Sequence, residues 1–286
     1  MNTDIRDSYD VIVLGAGAGG MTAATVAANE GLGVLVVEKT QYIGGTTSFS
    51  GGMCWVPNNL KQGDVGSSDT FENALNYLSA TAGAGEGAEK RRYFLERGPE
   101  AIDYLDKHTD VKLVPLSFYP DYYPDAPGAT NCGRIMEPVP FDARELGPDF
   151  RRLRPPLPEF TLFNGMMVGR SDLVHFRNVF KTVASTFRVA QLTLAYLLQR
   201  LRYHRGTKLV LGNALAARLL RSLQKRDVAI HLKGDVRKLI VEQDRVCGVE
   251  IETRNGVKTI RARRGVVLAT GGFSHNPEMR SKYLPA

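Results

Sequence analysis

The stretch Tyr9–Gly20, YDVIVLGAGAGG, constrains the fold more than any other part of this chain. Asp10–Leu14 is an apolar run of strand length, rich in valine and isoleucine, that stops at glycine. Gly15, Gly17 and Gly20 follow in the order G-x-G-x-x-G, and the alanine-rich Met21–Asn29 reads as a helix. A second short strand, Val34–Val37, delivers Glu38 eighteen positions after Gly20. Each part has a task in holding a dinucleotide. Gly15 lets the backbone turn tightly out of the strand. Gly17 has no Cβ, so a pyrophosphate can approach the main chain. Gly20 lets the helix pack closely on the strand. Ala16, Ala18 and Gly19 complete the loop, and the helix N-terminus offers N–H groups and positive partial charge to phosphates. Glu38 is placed to accept ribose hydroxyls and to disfavour a 2′-phosphate. A glycine-rich turn in an ordinary βα unit is the alternative for the motif alone. The strand, helix, second strand and acid standing in register favour the nucleotide.

After Glu38 and Lys39 the chain enters a second loop of small residues, Gly44-Gly45-Thr46-Thr47-Ser48-Phe49-Ser50-Gly51-Gly52. Two glycine pairs bracketing hydroxyl residues offer close backbone approach and many hydrogen-bonding groups without bulk. A flexible surface loop is the plainer reading of that composition. Its place directly after a ribose-binding acid suits the remainder of a long cofactor instead.

Farther on, Asp69–Asp106 is helical in pattern, with breaks expected at Ala82–Gly87 and at Gly98-Pro99. Val111–Val114 is a candidate strand. Ser117–Ala129, SFYPDYYPDAPGA, sets three tyrosines and a phenylalanine among three prolines and a glycine, so a stiff aromatic loop is expected. Met136–Phe163 reads as proline-rich and irregular. Ser171-Asp172 is a candidate cap for a long helix from Leu173 to Arg202, with a break within it as an alternative, whose many apolar residues imply core packing, with a lipidic or membrane surface as the minority reading. Gly212–Gln224 reads as another helix and Val228–Leu232 as a strand. Val236–Gln243, Val246–Thr253 and Val257–Arg263, joined by Asp244-Arg245 and Arg254-Asn255-Gly256, form an antiparallel β-meander. Val266–Ala269 is a last buried strand before Thr270-Gly271-Gly272. The fold class is therefore α/β, a Rossmann-like domain with a parallel sheet, inserted helices and a meander.

Composition narrows the function classes. A hydrophobic fraction of 43% and a charged fraction of 23% are those of a globular protein. The net charge of +7 comes from scattered basic residues without a nucleic-acid motif, so no nucleic-acid partner is expected. Cys54, Cys132 and Cys247 are far apart and odd in number, which points to a reducing cytoplasm. The histidines His108, His175, His204, His231 and His275 show no metal or triad spacing, and no metal is expected.

With these motifs in order, the chain resembles the flavoprotein family of fumarate reductases and 3-ketosteroid dehydrogenases, and most of all the 3-ketosteroid Δ1-dehydrogenases. The resemblance rests on VIVLGAGAGGMTAATVAANEGLGVLVVEK, on GGTTSFSGG followed by MCWVPNN, and on VCGVEI leading into GVVLATGGFSHN. YPDYYPDAPG is similar to the aromatic segment that lies over the steroid in that group. The resemblance implies non-covalent FAD, its adenosine near Gly15–Gly20 and Glu38, with Thr46–Gly52 along the pyrophosphate and flavin. It also implies that Val236 meets adenine through its backbone and that Ala269, Thr270 and Gly271 cross near the adenosine.

The implied chemistry is oxidation of a saturated C–C bond beside a ketone, with proton abstraction next to the carbonyl and hydride transfer to flavin N5. A small apolar, steroid-like ketone is the implied substrate, and an electron acceptor must follow. In the family a loop tyrosine assists a second tyrosine on another domain. Tyr122 is the preferred match, with Tyr119 and Tyr123 as neighbours, and simple packing is an equal alternative for each. Because family members continue past the ATGG strand, residues 1–286 are expected to form an incomplete FAD-binding domain. The substrate-covering domain and the returning FAD-domain segment would then lie elsewhere. A fumarate-reductase-like flavoprotein and a non-catalytic FAD-binding fragment are the alternatives.

Overall fold

A computed structural model describes residues 5–83, 85–253, 256–274 and 276–285. The expected Arg254-Asn255 turn and His275 lie outside the described residues. In chain order the first elements are β1 (Ser8–Leu14), α1 (Ala18–Asn29), β2 (Val34–Glu38), β3 (Cys54–Trp55), α2 (Phe71–Ala82) and α3 (Ala88–His108). They continue with β4 (Leu113–Pro115), β5 (Ile135–Pro138), β6 (Phe141–Asp142), β7 (Thr161–Leu162), β8 (Met166–Met167), α4 (Arg170–Arg177) and α5 (Val183–Arg200). The last are β9 (Lys208–Leu209), α6 (Leu211–Gln224), β10 (Ala229–Leu232), β11 (Asp235–Glu242), β12 (Arg245–Thr253), β13 (Gly256–Leu268) and α7 (Pro277–Tyr283). The short helix α7 is not among the elements expected from the sequence, although Asn276 caps it and Pro277 stands at its first position.

The chain divides into two compact units. The first comprises the residues up to Thr47, Arg151–Arg154, and Leu219 onward. Its six-stranded sheet has the order β10-β2-β1-β13-β12-β11. The first four of these strands run parallel, and β13, β12 and β11 form the antiparallel meander. Every residue of β2 is buried, as in a parallel strand covered on both faces. On one face Ile12, Leu14, Leu35 and Val37 share a core with Val249, Ile251, Ile260 and Ala262, so the meander folds over the parallel strands. Val13 and Val36 point the other way by the period-two alternation and are fully buried as well. The helix α1 packs against β1 and β2, turning Gly20, Met21, Ala24 and Thr25 inward.

Two expectations in this unit are corrected. Val257–Arg263 and Val266–Ala269 are not separate strands but one, β13, which pairs with β12 at its start and with β1 at its end. Its register on β1 jumps from Tyr9↔Ala262 to Val11↔Gly265. A bulge at Arg263–Arg264 thus bends the strand from one layer into the other without ending it. The β11–β12 turn falls on Gln243-Asp244, one residue before the expected pair. Both residues have positive φ (49° and 59°), as a two-residue hairpin turn requires.

The second unit, Ser48–Phe150 and Pro155–Arg218, holds small sheets (β3-β5-β4, β6-β9 and β7-β8) with α2 to α5. The break at Ala82–Gly87 separates α2 from α3, but Gly98-Pro99 breaks nothing, and α3 runs through it for 21 residues. Gly98 faces Val56, whose Cγ1 would lie 3.4 Å from an added Cβ, so the glycine serves close packing. Met136–Phe163 is less irregular than expected and contributes to β5, β6 and β7.

The long helix is two, α4 and α5, parted at Asn178–Thr182. Ser171-Asp172 does not cap α4, which begins at Arg170. The Asp172 carboxylate instead binds Arg188 and Lys208, and Thr182 caps α5 by accepting from the Ser185 N–H at 3.2 Å. The expected core packing fails outright. Phe180, Val183, Phe187, Leu194 and Leu201 are 59–89% exposed.

Candidate functional site: a dinucleotide cradle and an aromatic loop

Leaving β1, the chain turns at Gly15 with φ of +107°, and an added Cβ there would meet the Ala269 carbonyl oxygen at 2.3 Å. The Gly15 N–H still donates to Val37 O at 2.8 Å, and the Ala269 N–H to Leu14 O at 2.9 Å. The sheet therefore carries Ala269 under the loop. At Gly20 an added Cβ would meet Gly15 O at 1.9 Å, so this glycine brings α1 onto the strand end, as expected.

Gly17 and Gly19 differ. A Cβ on Gly17 would come no nearer than 3.9 Å to Thr47 Oγ1, and one on Gly19 would meet nothing within 4 Å. No protein contact explains these two glycines. A side chain at either position would enter open space.

The second loop folds onto the first. The Gly44 N–H donates to Ala16 O at 2.8 Å, and a Cβ on Gly45 would lie 3.2 Å from Gly17 Cα. Thr47 Oγ1 accepts the Ala18 N–H at 3.0 Å, fixing the start of α1. Glu38 is 6% exposed. One carboxylate oxygen accepts the Ala16 N–H and the other the Thr40 N–H, both at 2.9 Å. The acid thus shapes the glycine loop as well as standing beside it. Its carbonyl accepts the Gly234 N–H at 3.0 Å, which ties the entry to β11, and so Val236, to the end of β2. Lys39, Thr270 and Gly271 are exposed around these residues.

Within the second unit, Ser48 is 1% exposed and its Oγ is buried without a hydrogen-bonding partner. Burying a hydroxyl that way is costly unless a ligand completes it. An added Cβ on Gly52 would sit 2.6 Å from Gly212 Cα, and the Gly212 N–H donates to Ser50 O at 3.0 Å. Gly52 is therefore required by packing on α6, whereas no protein group hydrogen-bonds the Ser48 hydroxyl. Within the first unit, the open Gly17 and Gly19 and the acid at Glu38 fit FAD as the bound group.

The aromatic loop is rigid for a reason its prolines do not supply. Arg134, 1% exposed, donates to both carboxylate oxygens of Asp69 (2.7 and 2.8 Å) and to Asp121 Oδ2 (2.8 Å). It also donates to Gly128 O at 2.7 Å. Trp55 Nε1 donates to Asp121 Oδ1 at 2.7 Å, and the Thr130 N–H donates to Asp121 Oδ2 at 3.0 Å. This clamp, spread over positions 55, 69, 121 and 134, has no spacing that reveals it in the sequence. It holds Tyr122 at 90% and Tyr123 at 62% exposure. Tyr119 is half-buried, with the Arg170 guanidinium 5.7 Å from its ring centre.

Comparison with known proteins places this geometry. The family profile described as an FAD binding domain matches residues 10–286. A 3-oxosteroid 1-dehydrogenase of Mycolicibacterium smegmatis is 40% identical over 284 residues, covering 97% of this chain and 49% of that protein. A 4-oxocyclohex-2-ene-1-carboxylate 5-dehydrogenase of Sinomonas cyclohexanicum is 37% identical, covering 96% and 46%. Among solved structures, 3-ketosteroid Δ1-dehydrogenase from Sterolibacterium denitrificans, in complex with 1,4-androstadiene-3,17-dione, aligns with a TM-score of 0.86 at 38% identity. That alignment covers 98% of this chain and 50% of the other. The chain spans about half the length of the curated relatives it matches.

Proposed function

Because this chain belongs to the FAD binding domain family, we propose that it holds the cofactor of a dehydrogenase acting on a C–C bond beside a ring ketone. The observation that carries the reading is identity of 37–40% along nearly the whole chain to two dehydrogenases whose names both specify a ring oxo compound. A steroid-like substrate is favoured over a small carboxylate by the exposed tyrosines and Phe118 of the clamped loop.

Gly15–Gly20 and Gly44–Thr47 would take the pyrophosphate, with Glu38 on the adenosine ribose, Val236 near adenine and Ala269–Gly271 beside the adenosine. Thr46, Thr47, Ser48 and Ser50 would donate along the remainder, and Lys39 and Gly51–Gly52 would flank it. Bound FAD supplies the two-electron acceptor, whose electrons then pass to an external acceptor. Tyr122 is assigned the assisting role in removing the proton next to the ketone, and Tyr119 supports it from within the loop. A phenol serves as base only when a partner takes up its proton, so a second group is part of this reading. Three free cysteines fit a reducing cytoplasm as the compartment.

The test is reconstitution of the purified chain with FAD, followed by desalting and dye-reduction assays with a 3-oxosteroid and, separately, fumarate. Retained flavin absorbance without steady steroid-dependent reduction is the expected result, because the base that Tyr122 would assist is not assigned to any residue of this chain. Steady turnover of the steroid by this chain alone overturns that part of the reading. A folded chain that retains no flavin overturns the cofactor assignment, and fumarate-dependent reduction alone overturns the substrate class.

A further inference from the structure

The helix α5 is amphipathic the wrong way round for a globular core. At about 100° per residue, Val183, Phe187, Leu194, Leu198 and Leu201 fall within about 60° of arc. All five are 59–89% exposed. The buried residues of the helix, Ser185 and Tyr196, lie on the opposite side. A continuous apolar stripe about 27 Å long thus faces outward along a helix of 18 residues. Just before it, Phe180 holds a positive φ of 66°, unusual for a bulky residue, and is 89% exposed. The fold spends strain to present an aromatic ring at the head of the stripe.

Charge selects the occupant. Between Asp172 and Asp227 the sequence contains no acidic residue. Arg177 and Lys181 are exposed beside Phe180, and Arg200 and Arg202 are exposed at the other end, beside Leu201. A second copy of the chain would bring cations against cations here, because the same acid-free segment would face itself. A surface of anionic headgroups over an apolar layer complements both properties together. No helix among the described residues is long and apolar enough to cross a membrane, so the stripe would lie in the interface plane.

We infer that α5, with Phe180 at its head, is an interfacial anchor that docks the second unit on anionic lipid bilayers. The inference does not depend on bound flavin. For an enzyme of apolar ketones it also provides contact with the phase in which such compounds dissolve.

The test is co-sedimentation of the full chain with vesicles of phosphatidylcholine alone and of phosphatidylcholine with phosphatidylglycerol, at low and high salt. The chain is expected to bind the anionic vesicles, with affinity falling about tenfold or more in high salt or on removal of the anionic lipid. Phe187→Ser/Leu194→Ser should abolish binding with an unchanged circular dichroism spectrum, because both side chains are largely outside the core. Lys181→Glu/Arg202→Glu should remove the anionic preference while leaving the apolar stripe intact. Failure of the folded chain to sediment with either vesicle overturns the inference. So does equal binding to both lipids. A dimer in equilibrium centrifugation that Phe187→Ser/Leu194→Ser dissociates, without vesicle binding, assigns the face to a second copy and also overturns it.

Discussion

At the scale of single residues, the cradle separates glycines that the protein's own packing requires from glycines that it leaves open. Gly17→Val places its side chain in open space, so the variant should unfold at nearly the same temperature as the parent yet lose flavin binding. Gly20→Val drives a side chain into the Gly15 carbonyl and should fail to fold. Thermal unfolding combined with flavin retention distinguishes the two outcomes. Glu38→Ala removes a charged acceptor expected on the ribose and should weaken FAD binding by about 1.5–3 kcal/mol. It should also lower the stability of the flavin-free protein, since Ala16 and Thr40 lose their acceptor. Titration calorimetry and denaturant melts measure the two effects separately. The tight turn at Gly15 and the close packing at Gly20 were legible in the sequence because each has one position in a short local motif. The second function of Glu38, shaping the loop, was not, because its partners are backbone groups that carry no letter.

Among the elements, the aromatic loop depends on a side chain outside it. Arg134→Met leaves the carboxylates of Asp69 and Asp121 buried without their cation, at 0% and 2% side-chain exposure. Breaking such a buried pair should destabilise the unit by about 3–5 kcal/mol, read as a shift in denaturant midpoint. Arg134→Lys should recover little of this, because an ammonium cannot grip Asp69 with two parallel bonds. Helix α3 offers the opposite case, since Pro99 within it denies Leu95 a hydrogen bond. Pro99→Ala should therefore raise stability by about 1–3 kcal/mol in the same melts. Local signals read well for β1, α1 and β2, where strand, turn and helix follow one another directly. They misled at Gly98-Pro99, where tertiary packing overrides a strong breaker. They misled again at α5, where apolar residues imply a core by default and the fold turns them outward.

At the scale of the whole molecule, acid should act through groups far apart in sequence. Burial holds the His231 imidazole below its ordinary value of 6.5. The folded state thus keeps it neutral where the unfolded chain takes a proton, and its contribution is present above pH 6.5 and lost as pH falls below it. The hydrogen bond from Arg263, with one from the Gly33 N–H, holds Asp10 down at about 2 against an ordinary 3.8. Its contribution is present above 3.8 and lost as pH falls towards 2. Unfolding midpoints measured across pH should decline in those two windows. His231→Gln should flatten the upper window, and Asp10→Asn the lower. Charge totals alone show neither effect, because both arise from neighbours that only the fold brings together.

The strand β13 has a further consequence, for the order in which the protein is made. Its pairing with β1 joins Ser8 to Arg261 and Leu14 to Leu268, and Ala269 then underlies Gly15. A nascent chain that has already released its glycine motif from the ribosome has no finished place for a nucleotide until about 250 residues later. During that interval β1 and β2 present an uncovered apolar face, a form that chaperones bind and that crowding turns towards aggregation. Flavin supplied during translation should therefore associate late and abruptly, near the emergence of Leu268 and not of Gly20.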